Sequence, residues 1–72
     1  MGRLANISGS EAVKIFLKFG YLEARQTGSH IILSHESKSI LSVPNHQELA
    51  PGLLRSLIRQ AEITVDEFLE SR

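Results

Sequence analysis

The stretch Arg25-Gln26-Thr27-Gly28-Ser29-His30-Ile31-Ile32-Leu33 decides how this chain is read. A polar run meets an apolar run at Gly28. Glycine supplies the positive φ that tight turns need. Ile31, Ile32 and Leu33 form a short apolar run of the kind that anchors a strand in a core. The stretch therefore predicts two strands joined at Gly28-Ser29, with His30 at the rim of a sheet. An imidazole held there, exposed yet positioned, suits a general acid or base. The same placement also suits a solvated or capping histidine.

Upstream, Ser8 and Glu11 form the Ser-x-x-Glu pattern of a capping box. Ala12, Ile15, Phe16 and Phe19 follow at i, i+3, i+4 and i+7, and Val13 and Leu17 widen this apolar face of a first helix. Gly20 is expected at the C′ position. Lys14 and Lys18, four apart, make a basic edge beside the stripe. They read as a solvated face or, if the domain binds phosphate, as contacts to it. Tyr21 to Gln26 reads as the first strand, with Tyr21, Glu23 and Arg25 on one side and Leu22, Ala24 and Gln26 on the other. Arg25 is then a partner for Glu23 in a surface ion pair, or a clamp for phosphate oxygens, which a guanidinium fork fits.

Downstream, the second strand runs from about Ser29 to His35. The third runs from about Ser39 to Val43, where Pro44 cannot donate to a ladder and stops it. Short connections between three strands imply an antiparallel meander. Asn45 to Ala50 is a loop that contains His46. Pro51 fits the first turn of a second helix, whose apolar face is Leu53, Leu54, Leu57, Ile58 and Ala61, with Arg55 and Arg59 outside it. Thr64 and Glu67 form a further capping box, stapled by Ile63 and Phe68, ahead of a short last helix from Val65 to about Glu70. The fold class is α+β: helix, three-stranded antiparallel sheet, helix and short C-terminal helix. The helices cover one sheet face and leave the other open. The element order resembles the double-stranded-RNA-binding fold.

Composition narrows the setting. The 72 residues read as a single domain spanning 1–72, with eight basic and eight acidic side chains and no cysteine. Neither a disulfide nor a thiolate metal site can form, and no His pair stands at metal-ligand spacing on a helix. The expectation is no metal and no cofactor. No apolar run reaches membrane-spanning length. Met1 to Asn6 lacks the apolar core of a signal peptide, and Asn6 stands where a myristoylation signal wants Ser or Thr. A cytoplasmic home is expected. Net neutrality leaves room for a local basic patch, not for the broad basic footprint of many nucleic-acid binders.

Several pieces recur together in order. They are Gly20-Tyr21, then Arg25 to His30 with its Gly-Ser-His turn, then Val43-Pro44-Asn45-His46, then Glu48 to Ala61 with its Pro51-Gly52 helix start. This pattern resembles the HicA toxins, also called the YcfA-like family, from about Ser8 to Phe68. The resemblance implies a small protein with the double-stranded-RNA-binding fold. It implies an mRNA interferase of a type II toxin–antitoxin system, blocked by a HicB-type antitoxin, and it places the catalytic histidine at His30. With that reaction in view, Arg25, Gly28, Ser29, Lys14, Lys18 and His46 are the candidates for holding RNA. The expected chemistry is metal-independent, with His30 taking the ribose 2′-hydroxyl proton. The expected partners are mRNA and the antitoxin, with a monomer or homodimer when free. The alternative is an inactive RNA-binding or antitoxin-binding module of the same fold, which the neutral charge favours.

Overall fold

A computed structural model describes residues 3–72; Met1 and Gly2, the start of the Met1 to Asn6 stretch, lie outside the described residues. The elements are α1 (Gly9–Leu17), β1 (Leu22–Thr27), β2 (His30–Ser34), β3 (Leu41–Pro44), α2 (Pro51–Gln60) and α3 (Val65–Glu70). The sheet is antiparallel in the order β1-β2-β3, as its short connections predict.

Helix α1 starts at Ser8, whose Oγ accepts the Glu11 amide at 3.0 Å. Only this half of the expected capping box forms. The Glu11 carboxylate instead pairs with Arg72 at 2.5 Å, and Arg72 also donates to the Asn6 carbonyl. At the other end, the Gly20 amide donates to Leu17 O and the Tyr21 amide to Phe16 O. These are the two bonds of a Schellman motif, with Gly20 at C′ and φ of 96°. The apolar contact that goes with this motif joins Tyr21 to Phe16, whose rings meet edge-on at 6.0 Å. Tyr21 is therefore 1% exposed and precedes β1, whereas the strand pattern places it on a polar face. Its hydroxyl donates to Ser39 O at 2.8 Å. The cap pins the ring over the core before the strand begins.

Helix α2 ends in the same way without a glycine. The Glu62 amide donates to Arg59 O and the Ile63 amide to Ile58 O, so Glu62 takes the left-handed position at φ of 60°. Helix α3 has the full capping box, with Thr64 and Glu67 exchanging bonds of 3.0 and 2.7 Å. Leu53 and Leu17, assigned to apolar stripes, are 38% and 41% exposed at the stripe margins.

The core lies between the helices and one sheet face. It joins Ile31 and Leu33 of β2, Leu41 and Val43 of β3, Phe16 of α1, Leu54 and Ile58 of α2, and Phe68 of α3. Leu4, Ile7 and Leu49 also enter it, from segments with no periodic pattern. They are held by Leu49 N–H donating to Ile7 O and Gly9 N–H donating to His46 O, which lay the N-terminal segment alongside the loop before α2. Strand β1 is exposed at every residue, because it is an edge strand lying beyond the helices.

Each strand is shifted by one or two residues at its ends: β1 runs Leu22–Thr27 rather than Tyr21–Gln26 and β2 His30–Ser34 rather than Ser29–His35. Strand β3 begins at Leu41 rather than Ser39, and includes Pro44, which pairs with His30. At a sheet edge a proline's missing N–H leaves no ladder bond unmade. The register of β1 shifts between Glu23, opposite Leu33, and Arg25, opposite Ile32. This bulge breaks the alternation expected for β1. Glu23 shares the side of buried Leu33, and Arg25 the side of Ile32, so the two lie on opposite faces and no Glu23–Arg25 ion pair forms. The Arg72–Glu11 pair is the ion pair found among the described residues.

Candidate functional site

His30 opens β2 immediately after a two-residue turn, Gly28-Ser29, with Thr27 directly opposite it. Gly28 has φ of 54°, while Ser29 does not enter the left-handed region. A positive φ at the first central position alone is the sign pattern of a type II′ hairpin turn, where glycine is favoured. His30 is exposed. Its Nδ1 stands 3.5 Å from Ser29 Oγ. Pro44 flanks it on the other side, and the Asn45 amide donates to Ser29 O at 2.6 Å. The turn is thus tied both to β1 and to the chain leaving β3.

Side chains alternate along a strand. Ile31 and Leu33 are buried against the helices, so His30, Ile32 and Ser34 project from the open face. Arg25, opposite Ile32, shares that face. Strand geometry puts the Arg25 and His30 Cα atoms about 8 Å apart, two residues along and one strand across. A guanidinium can reach a group held at the imidazole from there. The Gly28 and Ser29 amides make no backbone hydrogen bond among the described residues. Leu22, opposite Ser34, shares this face and is 70% exposed, beside half-buried Ile32, while Ser34 and Ser42 are its polar positions; Ile40, just before β3, is 65% exposed.

The other candidates are placed differently. His46 is exposed two residues beyond Pro44, and its carbonyl takes the Gly9 amide. Lys14 and Lys18 are exposed on α1, in the layer across the sheet from the open face. Lys18 Nζ donates to Ser71 O at 2.7 Å. The fold brings together His30, Ser29, Gly28 and Arg25, with His46 on the adjoining loop, and sets the two lysines apart.

The third histidine, His35, has a structural place that the sequence pattern does not show. Its Nδ1 accepts the Ser37 amide at 3.1 Å, and its Nε2 lies 3.2 Å from Phe19 O. A backbone N–H can only donate and a carbonyl only accept, so the two contacts fit the tautomer with its proton on Nε2. It packs edge-on against Tyr21 at 4.9 Å and fastens the end of β2 to the α1 cap. No group of three His, Asp or Glu side chains is placed to hold a metal ion among the described residues. Among the described residues no helix is long and apolar enough to cross a membrane.

The family model described as the HicA toxin of bacterial toxin–antitoxin systems matches residues 9–63. The chain belongs to the HicA toxin family. The matched span runs from the first residue of α1 through the Schellman cap of α2, so this HicA-family chain carries both His30 and the α2 loop inside the family region. Comparison with curated proteins finds no match. The toxin role follows from the family, and with it an antitoxin partner.

Proposed function

We propose that this HicA-family toxin is a metal-independent mRNA endoribonuclease in which His30 is the general base. What carries the reading is the exposed imidazole of the Gly28-Ser29-His30 hairpin, on the same sheet face as Arg25. The Nε2 of His30 has no hydrogen-bond partner among the described residues and takes the proton of a ribose 2′-hydroxyl. The 2′-oxygen attacks the adjacent phosphorus, and the bond to the 5′-oxygen breaks. That oxygen is protonated from solvent, leaving a 2′,3′-cyclic phosphate and a 5′-hydroxyl. Arg25 and the open Gly28 and Ser29 amides are placed to take up charge on the pentacoordinate phosphorus, the kind of preorganised contact that lowers such barriers. DNA lacks the 2′-hydroxyl and is not a substrate.

The apolar neighbours Leu22 and Ile32 suit a protein lid over the same face. A HicB-type antitoxin in the same cytoplasm docks there and blocks His30. The test is cleavage of a labelled single-stranded RNA in EDTA by wild type and His30→Ala. A general base is worth roughly 10²–10⁴ in rate, and that loss is expected with the fold intact by circular dichroism. Equal cleavage by both proteins removes His30 from the chemistry. No cleavage by either favours the inactive binding module.

A further inference from the structure

A second basic site lies away from His30. Leu4, Ala5, Pro51 and Val65 wall an open pocket of about 330 Å³, and Arg3 and Arg55 complete its lining. No carboxylate lines it. Neither guanidinium has a hydrogen-bond or ion-pair partner among the described residues. In a chain with eight basic and eight acidic side chains, two unpaired arginines at one concave site form a concentrated positive field.

The start of α2 adds an independent observation. Its N-cap is Ala50, which offers no side-chain cap, and its first turn holds no acidic residue. Pro51 has no N–H, so the first free amides of the helix are those of Gly52 and Leu53. The space beside Gly52 is open, since a Cβ there would meet nothing within 4 Å. The other two helices have their N-termini capped by Ser8 and Thr64. An uncapped helix N-terminus next to two arginines favours an anion.

We infer that this pocket holds one nucleotide of a bound RNA strand, its phosphate on Arg3, Arg55 and the α2 amides and its base against Leu4, Pro51 and Val65. The inference rests on the reading of the protein as an RNA endonuclease and gives that strand a second anchor. The volume is at the small end of the roughly 300–1,000 Å³ range of ligand pockets, the scale of one nucleotide rather than a docked helix. Guanidinium planes bind phosphate bidentately and stack on bases. The chain itself links the pocket to the His30 turn. Loop 45–50 leaves β3 beside Ser29, lies along the N-terminal segment, and enters α2 at the pocket.

The test uses probes that cannot be cleaved. Uridine 5′-monophosphate, with uridine as the control lacking phosphate, is titrated into the isotope-labelled full chain and followed by amide NMR. The monophosphate is expected to shift Leu4, Ala5, Gly52 and Leu53, uridine is not, and Arg3→Gln with Arg55→Gln abolishes the shifts. For a 2′-O-methyl octanucleotide, the slope of log affinity against log salt falls by about 0.7 for each phosphate that the double variant no longer neutralises. Arg55→Lys retains part of that slope. Shifts elsewhere, or an unchanged slope in the double variant, overturn the inference. So does an acidic peptide that shifts these amides when the monophosphate does not, which would give the pocket to a protein partner. Binding here with no cleavage of ordinary RNA would count against the enzyme reading alone, and cleavage with a silent pocket against this site alone.

Discussion

Replacing Gly9 with alanine tests how α1 is seated against the end of β3 and the Gly28-Ser29 turn. Gly9 is the first residue of α1. Helix propensity alone favours the change by roughly 0.5–1 kcal/mol. The tertiary structure opposes it. A Cβ at Gly9 would fall well inside contact distance of the Pro44 carbonyl oxygen, and 3.0 Å from Asn45 Cα. Both are backbone atoms, which cannot swing aside as a side-chain tip can. Either α1 lifts or the end of β3 moves. Overpacking of this kind costs about 1–3 kcal/mol. The Gly9 amide bond to His46 O and the Asn45 amide bond to Ser29 O lie in the strained region, and losing both adds about 1–3 kcal/mol. The expected net loss is about 1–5 kcal/mol, against a total of roughly 4–11 kcal/mol for a domain of this length. Midpoints should fall by about 4–8 °C for each kcal/mol lost. Thermal and urea unfolding followed by circular dichroism measure this. Gly52→Ala is the internal control, since its Cβ meets nothing within 4 Å, and it should be neutral or mildly stabilising. Below the midpoint, Gly9→Ala should also lose RNA cleavage, because Pro44 and Asn45 are the neighbours that hold His30 and Ser29. If Gly9→Ala matches Gly52→Ala in stability, the seating of α1 on the end of β3 is refuted.

The remaining predictions concern the two caps. Glu62→Gly relieves a left-handed conformation that costs a side-chain-bearing residue roughly 1–2 kcal/mol; a gain of about 1 kcal/mol is expected in urea unfolding, and a loss would mean that the Glu62 side chain matters more than its backbone. Burial, with a smaller contribution from Glu62, raises the Tyr21 phenol pKa above 10.0. The protonated phenol is favoured in the folded state, so this contribution is complete below about pH 10 and is lost as pH rises through the folded value. Tyr21 is the single tyrosine, so an ultraviolet titration reads it directly; Glu62→Gly should move its midpoint downward, and a midpoint at the ordinary value would contradict its burial. Tyr21→Phe should lower stability by about 0.5–1.5 kcal/mol and flatten the alkaline limb of the stability curve. His35→Ala should lower stability by about 1–3 kcal/mol through the unpaired Ser37 amide and Phe19 carbonyl, without the rate loss of His30→Ala at temperatures where both are folded; equal rate losses would give His35 a share in the chemistry.

Local interactions made much of this protein legible from its sequence. The caps at Ser8, Gly20 and Thr64, the two apolar helix stripes, the turn at Gly28-Ser29 and the exposed rim position of His30 all follow from residues within a few positions of one another. What stayed illegible depends on partners distant in the chain. The bulge in β1 separates Glu23 from Arg25, and only the pairing with β2 reveals it. Glu11 bonds to Arg72 instead of closing its own capping box, because the C-terminal end returns to α1. Tyr21 leaves its expected polar face because the α1 cap turns it onto Phe16, and His35 becomes a clamp because Phe19 O and Ser37 N–H converge on it. Leu4, Ile7 and Leu49 carry no period, so nothing local marks them as core. Sequence determined which segments fold, where the helices are capped, and that His30 stands at the Gly28-Ser29 turn, since short-range hydrogen bonds and burial periodicity act within one element. Tertiary structure alone decided that Arg25 shares a face with His30, that Lys14 and Lys18 do not, and that Arg3 and Arg55 line one pocket. Facing and proximity across elements come from strand register and helix seating, which distant backbone atoms set together.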